Sequence, residues 1–128
     1  MKKLFVLIFM AALTMAATAQ KEPQYISSFK YDKRVHDFGT IKEKDGKVSH
    51  TFTFTNTSIL PVVISDVNSW CGCTTAEYTK TPILPGKTAK VTVTFNPQSR
   101  PGKFSKEVVL NLDGNKGFTR VWIKGNVI

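Results

Sequence analysis

Apolar and polar residues alternate along most of the chain beyond its apolar N-terminal stretch, and no segment keeps a helical period long enough to predict a helix. The alternation is clearest at residues 50–55, where Phe52 and Phe54 fall on one side of an extended strand and three threonines on the other. One side of that strand is expected to face a core. The same period predicts three more inward-facing sets, which are Ala89, Val91, Val93 and Phe95; Phe104, Val108, Leu110 and Leu112; and Val121, Ile123 and Val127.

Turn-forming residues separate these apolar sets at fairly regular intervals. Glycine, proline, asparagine and aspartate favour turns through their special backbone angles and local hydrogen bonds. An interval of about 8 to 15 residues is close to that of an all-β sandwich. The signals are Asp45-Gly46, Leu60-Pro61, Leu84-Pro85-Gly86, Pro101-Gly102 and residues 113–117. We therefore predict an all-β fold, an immunoglobulin-like β-sandwich of about seven strands.

The N-terminal stretch has the three parts of a secretory signal peptide. Lys2 and Lys3 give it a positive start, residues 4–17 are largely apolar, and Ala17-Thr18-Ala19 fits the small-residue rule for cleavage. The apolar run is shorter than the roughly 20 residues of a membrane span, and no cysteine stands at the cleavage site for lipid attachment. We predict a signal peptide at 1–19, no stable membrane anchor, and a periplasmic or secreted product.

The rest of the chain has the length of one domain. We expect a polar lead-in at 20–33, where Tyr25, Phe29 and Tyr31 could add an edge strand, and one immunoglobulin-like domain at 34–128. The formal net charge of the whole chain is +9, which favours anionic partners through a general field. Export argues against nucleic acid, so the expected partner is another envelope protein or an anionic envelope component. A basic surface that only aids solubility is the alternative reading.

The residues that an enzyme would need are not arranged as a site. Gly86-Lys87-Thr88 resembles the end of a phosphate-binding loop, but Thr81 replaces the first glycine of that motif and a strand follows. His50 falls on the same side of its strand as Phe52, so we expect it at the margin of the core. We expect a similar structural position for His36. The carboxylates are dispersed. We therefore predict no enzymatic activity, no catalytic residue and no cofactor.

Cys71 and Cys73 are the one group with distinctive chemistry. On an extended strand their Cα atoms would lie roughly 6.6 Å apart with both side chains on one face, and a bend at Gly72 would bring them within disulfide range. The compartment is oxidising. Three uses stay open, namely a structural staple or buried thiols, thiol exchange, and metal binding. Metal ranks last because all three methionines precede the predicted cleavage site and only two histidines could complete a soft site.

On the last predicted strand, Val121 and Ile123 face inward, and the side chains on the opposite, outward-facing side are of unusual types. Large aromatic residues beside basic ones are enriched at binding hot spots, and a terminal strand is often an edge that accepts another strand. Alternatively, Trp122 covers the sheet margin or packs under the lead-in. The candidate binding face comprises Trp70, Phe118, Arg120, Trp122 and Lys124.

Several segments, in order along residues 34 to 128, resemble the bacterial domain of unknown function 1573, which is similar to hydin and major sperm protein domains. The resemblance implies a seven-stranded sandwich and brings no established activity. Its eukaryotic relatives bind proteins at cilia and the cytoskeleton, a setting that does not suit an exported bacterial domain. Trp70 departs from the small polar residue more usual in the family. The matching segments are residues 36–41, 52–57, 71–74, 85–86 with 91–97, and 102–104.

We conclude that the sequence favours an exported immunoglobulin-like module for protein interaction or scaffolding in the cell envelope. A thiol-redox protein using the Cys71-Gly72-Cys73 pair is the second hypothesis, and a metal-binding protein is the third.

Overall fold

The computed structural model describes residues 29–113 and 117–128, so the predicted signal peptide and most of the lead-in lie outside the described residues. In this part of the chain there are eight strands and one short 3-10 turn at Glu43–Asp45. The strands are β1 Phe29–Tyr31, β2 Val35–Ile41, β3 Val48–Asn56, β4 Ile64–Ser69, β5 Thr74–Tyr78, β6 Thr88–Phe95, β7 Gly102–Leu112 and β8 Phe118–Val127.

The strands form two four-stranded sheets, ordered β1-β3-β6-β5 and β2-β8-β7-β4. The predicted all-β immunoglobulin-like sandwich is thereby confirmed. All pairings are antiparallel except that of β2 with β8, which is parallel. We call the first the β3 sheet and the second the β8 sheet.

The core lies between the two sheets and is built from the alternating apolar positions. Phe52, Phe54 and Phe95 are among its largest fully buried side chains. The inward-facing sets predicted on β6, β7 and β8 are confirmed, with Phe104 only half-buried at the start of β7. The Phe104 ring stacks on Phe95 at a centroid distance of 4.0 Å, and it covers Gly125, its cross-strand neighbour on β8.

The eighth strand, β1, lies in the lead-in, where the sequence allowed an added edge strand, and it is an edge of the β3 sheet. β1 pairs with β3, and the chain then crosses to pair β2 with β8. Arg34 fixes the crossing, since its Nη1 donates to Thr119 Oγ1 and to the Arg120 carbonyl, both at 3.2 Å. Thr119 is fully buried and also accepts a hydrogen bond from Tyr31.

The expectation that the last strand is an edge is wrong. β8 lies between β2 and β7 and is hydrogen-bonded on both sides, because β2 crosses over to cover it. The edges of the β8 sheet are instead β2 and β4. No helix among residues 29–113 and 117–128 is long and apolar enough to cross a membrane.

Candidate functional site

The two cysteines lie in the turn that carries the chain from one sheet to the other. β4 is an edge of the β8 sheet and β5 an edge of the β3 sheet, and residues 70–73 connect them. We call these residues the disulfide turn. The chain bends at Gly72, as the sequence allowed, because the change of sheet requires a sharp turn.

The bend brings the cysteines together. Their Cα atoms are 5.3 Å apart, which is shorter than two steps along a strand and ordinary for a disulfide. The two sulfur atoms are bonded in the structure, and no free cysteine is left. Whether the pair serves as a staple or in exchange depends on its surroundings.

The surroundings of the two sulfurs differ. Cys73 is 5% exposed and belongs to the core cluster, whereas Cys71 is half-buried and lines a cleft of about 240 Å³. Trp70 projects from the same turn and is 80% exposed. Lys106 and Glu107 of β7 line the cleft from the other side. A molecule arriving from solvent therefore meets Trp70 and Cys71 before Cys73.

Hydrogen-bond donors lie close to the sulfurs. The backbone N–H of Cys73 donates to Cys71 Sγ at 3.1 Å. The hydroxyl of buried Thr74 lies 3.6 Å from Cys73 Sγ and 4.0 Å from Cys71 Sγ. These groups can stabilise negative charge on sulfur if the bond opens.

The two histidine rings stack on each other and contact phenylalanine rings. His36 of β2 and His50 of β3 stack with ring centroids 3.7 Å apart, and Phe38 and Phe52 pack edge-on against them. Burial, followed by the charges of His36 and Lys33, lowers the pKa of His50 below its ordinary value. His50 lies at the core margin, as its phase predicts, but sequence spacing carried no signal for the stack across two sheets. Within the described part of the chain, no three His, Cys, Asp or Glu side chains are grouped to hold a metal.

The outer phase predicted on β8 points away from the core. Phe118, Arg120 and Trp122 are half-buried and Lys124 is exposed. Arg120 lies over the Phe118 ring at 4.9 Å and pairs with Glu107 at 3.4 Å. These four β8 residues form one continuous face.

Trp70 belongs to the margin of this face. Trp122 has Val35 of β2 as its neighbour on one side and Glu107 of β7 on the other. Glu107 in turn lines the cleft that Trp70 borders. Val35, Trp122 and Glu107 are thus aligned across the β8 sheet, and Trp70 borders the cleft that Glu107 lines. We call these four residues the tryptophan row.

A polar hub that sequence analysis did not single out lies at the opposite end of the sandwich. Asn56 is fully buried, and its amide donates to the carbonyls of Leu60 and Ile83, both at 2.9 Å. Its Oδ1 accepts from the backbone and the hydroxyl of Ser58. A signal was present, because Asn56 continues the inward phase of Phe52 and Phe54.

Comparison with known sequences identifies the family. The model of the family described as "Protein of unknown function (DUF1573)" matches residues 29–127. The chain belongs to the DUF1573 family. The match includes β1, which the sequence-based domain boundary at residue 34 leaves out. Among curated protein sequences, none matches this chain.

Solved structures show that the fold of this DUF1573 domain is similar to that of a PapD-like sandwich. A protein of unknown function from Porphyromonas gingivalis W83 has a TM-score of 0.65 at 16% identity, covering 84% of this chain and 50% of its own. The ASH/PapD-like domain 7 of human CEP192 has a TM-score of 0.64 at 11% identity, covering 79% and 85%. The VesB protease of Vibrio cholerae has a TM-score of 0.61 at 19% identity, covering 79% and 32%. The chain thus spans about half of the first and a third of the last, and at these identities the likeness shows the fold alone.

Proposed function

We propose that this DUF1573 protein is an exported, non-enzymatic module that binds another protein of the cell envelope through the outer face of the β8 sheet. The observation that carries the proposal is the tryptophan row, in which Trp122 is the cross-strand neighbour of Glu107 and Trp70 borders the cleft that Glu107 lines. Tryptophan and arginine are the residue types most enriched at the centres of protein interfaces.

The rigidity of this surface supports binding. Trp122 lies on a strand paired on both sides, so its backbone is fixed before a partner arrives. Arg120 is held by Phe118 and Glu107. A surface that is already ordered loses little conformational entropy on association.

The charges of the surface favour a protein over an anionic polymer. Arg120 and Lys124 are cationic, but Glu107, the cross-strand neighbour of Trp122, pairs with Arg120. Because this ion pair neutralises one of the two cations, the face attracts a polyanion less strongly than the cations alone would, whereas a protein can also present a cation or hydrogen-bond donor to Glu107. Export itself rests on the predicted signal peptide at 1–19.

Site-specific photocross-linking in the native organism tests the proposal. A cross-linking side chain at exposed Lys124, on the β8 face, should capture a defined envelope protein from the periplasmic or secreted fraction. The same group at exposed Thr51, on the outer face of the β3 sheet, is the matched control and should not.

Two substitutions connect the capture to the tryptophan row. Trp122→Ala and Trp70→Ala should each abolish or strongly reduce the Lys124 cross-link, while Thr51→Ala leaves it unchanged. Thermal unfolding must show that the variants remain folded. An undiminished cross-link in Trp122→Ala, equal capture from Thr51, or a chain that stays in the cytoplasm would each contradict the proposal.

A further inference from the structure

The disulfide turn presents only one of its sulfurs to a reactant. Thiol–disulfide exchange needs an incoming thiolate to reach one sulfur while the other departs. Cys71 borders the cleft under exposed Trp70, and Cys73 is enclosed by the core. We propose that the Cys71–Cys73 bridge is a reversible acceptor of electrons from dithiol proteins, with Cys71 as the sulfur that is attacked. This activity goes beyond protein binding and does not depend on it.

The exchange proceeds in two balanced steps. A thiolate of the partner attacks Cys71 Sγ, the bond between the two cysteines breaks, and Cys73 leaves as a thiolate. The partner's second thiolate then attacks the partner's other sulfur, which is bonded to Cys71 in the mixed disulfide, and Cys71 leaves as a thiolate. The partner dithiol is oxidised to a disulfide and this chain gains two electrons. The two protons that the partner's thiols gave up neutralise the thiolates of Cys71 and Cys73. The reverse steps, with a protein disulfide as oxidant, restore the bridge.

The neighbours of the sulfurs assist both steps. The departing Cys73 thiolate has the Thr74 hydroxyl at 3.6 Å as a donor. The released Cys71 thiolate keeps the Cys73 N–H at 3.1 Å, and cationic Lys106 lines the same cleft. Donors and cations stabilise a thiolate relative to a thiol, which lowers the pKa of the cysteine and increases its reactivity near neutral pH.

Besides the disulfide, hydrogen bonds hold the turn, so we expect the turn to keep its conformation when the bridge opens. Three other hydrogen bonds hold the turn, from Ser69 Oγ to the Thr74 carbonyl at 2.8 Å, from Asn96 N to the Cys73 carbonyl at 2.8 Å, and from Thr74 N to the Cys71 carbonyl at 3.3 Å. A disulfide that links positions two apart also constrains the unfolded chain little. A structural staple would be expected where other interactions are lacking, and this turn has them.

The single-cysteine variants Cys73→Ala and Cys71→Ala test the assignment as a matched pair. Each is mixed with oxidised glutathione, and mixed-disulfide formation is followed by mass spectrometry at neutral pH. Cys73→Ala, which keeps the accessible sulfur, should react at least about tenfold faster than Cys71→Ala. Equal rates, or a faster Cys71→Ala, would overturn the roles assigned to the two sulfurs.

Two measurements on chains with both cysteines keep the test independent of the folding of those variants. Graded alkylation of the reduced wild-type protein should label Cys71 first. Thr74→Val, which removes the hydroxyl 3.6 Å from Cys73 Sγ and keeps the shape, should shift the alkylation rate profile of Cys73 to higher pH.

Reversibility itself is tested by equilibration with glutathione buffers, using Trp70 fluorescence as the readout. The bridge should open in reduced glutathione with the circular dichroism spectrum unchanged. A bridge that stays closed in excess reduced glutathione, or a domain that unfolds when it opens, would show a structural staple. Loss of partner capture through the β8 face would leave these results unchanged, so the two proposals fail separately.

Discussion

Asn56 offers the sharpest test of how the sandwich is held together. Its fully buried amide makes four hydrogen bonds, to the carbonyls of Leu60 and Ile83 and from two donors of Ser58. Each such bond contributes about 0.5 to 1.5 kcal/mol net. Asn56→Ala should therefore lower the free energy of unfolding by about 2 to 6 kcal/mol.

Asn56→Asp separates hydrogen bonding from simple loss of volume. Aspartate fills the same space and can still accept from Ser58, but at neutral pH it turns a carboxylate oxygen toward the carbonyls of Leu60 and Ile83. A buried carboxylate oxygen that faces two carbonyls and no donor costs more free energy than an absent side chain. We expect Asn56→Asp to be at least as destabilised as Asn56→Ala at pH 7. It should recover part of the loss in acid, where protonation supplies an O–H donor.

Urea unfolding followed by circular dichroism, at pH 7 and at about pH 4, provides the assay. Asn68→Ala, at an exposed position on β4, is the matched control and should change stability by less than about 0.5 kcal/mol. If both Asn56 variants lie within that same margin at pH 7, the amide is not a hub and the reasoning fails.

Two further predictions concern close packing and pH. Gly125→Ala would place a Cβ 2.9 Å from the Phe104 ring and from a backbone oxygen of β2, so it should lower the free energy of unfolding in urea by about 1 to 3 kcal/mol. Gly72→Ala is the control and should cost little, because there is open space around Gly72. Equal effects of the two substitutions would contradict the packing argument. Because the pKa of His50 is lowered on folding, the unfolded chain binds the proton more readily, so stability should fall as pH drops from about 6.5 through that lowered value and then level off. His50→Phe should flatten this part of the profile of unfolding free energy against pH, and an unchanged slope would show that burial and the neighbouring charges do not lower the pKa of His50.

The local pattern predicted the strands better than it predicted their partners. The inward phases of β3, β6, β7 and β8 followed from period two because each of these strands has one buried face. The change of sheet between β1 and β2 did not follow, because it depends on Arg34 reaching Thr119, 85 positions away. The same crossing made the last strand internal.

The candidate site shows the same limit. The phase of β8 placed Phe118 and Trp122 on an outer face, but the row with Trp70 depends on the alignment of four segments from distant parts of the chain. The pairing of the cysteines could be anticipated from their spacing, whereas the difference in their exposure could not. That difference arises because the turn enters the core between the sheets just as β5 begins.

The parallel pairing of β2 with β8 has a mechanical consequence. The chain enters β2 at one end of the sandwich and leaves β8 at the other. A force that draws the segments before β2 and after β8 apart pulls these adjacent strands in opposite directions along their length. The hydrogen bonds between them are then loaded together in shear rather than opened one after another. We expect the domain to resist stretching along this axis far better than a pull that peels β4 from its edge.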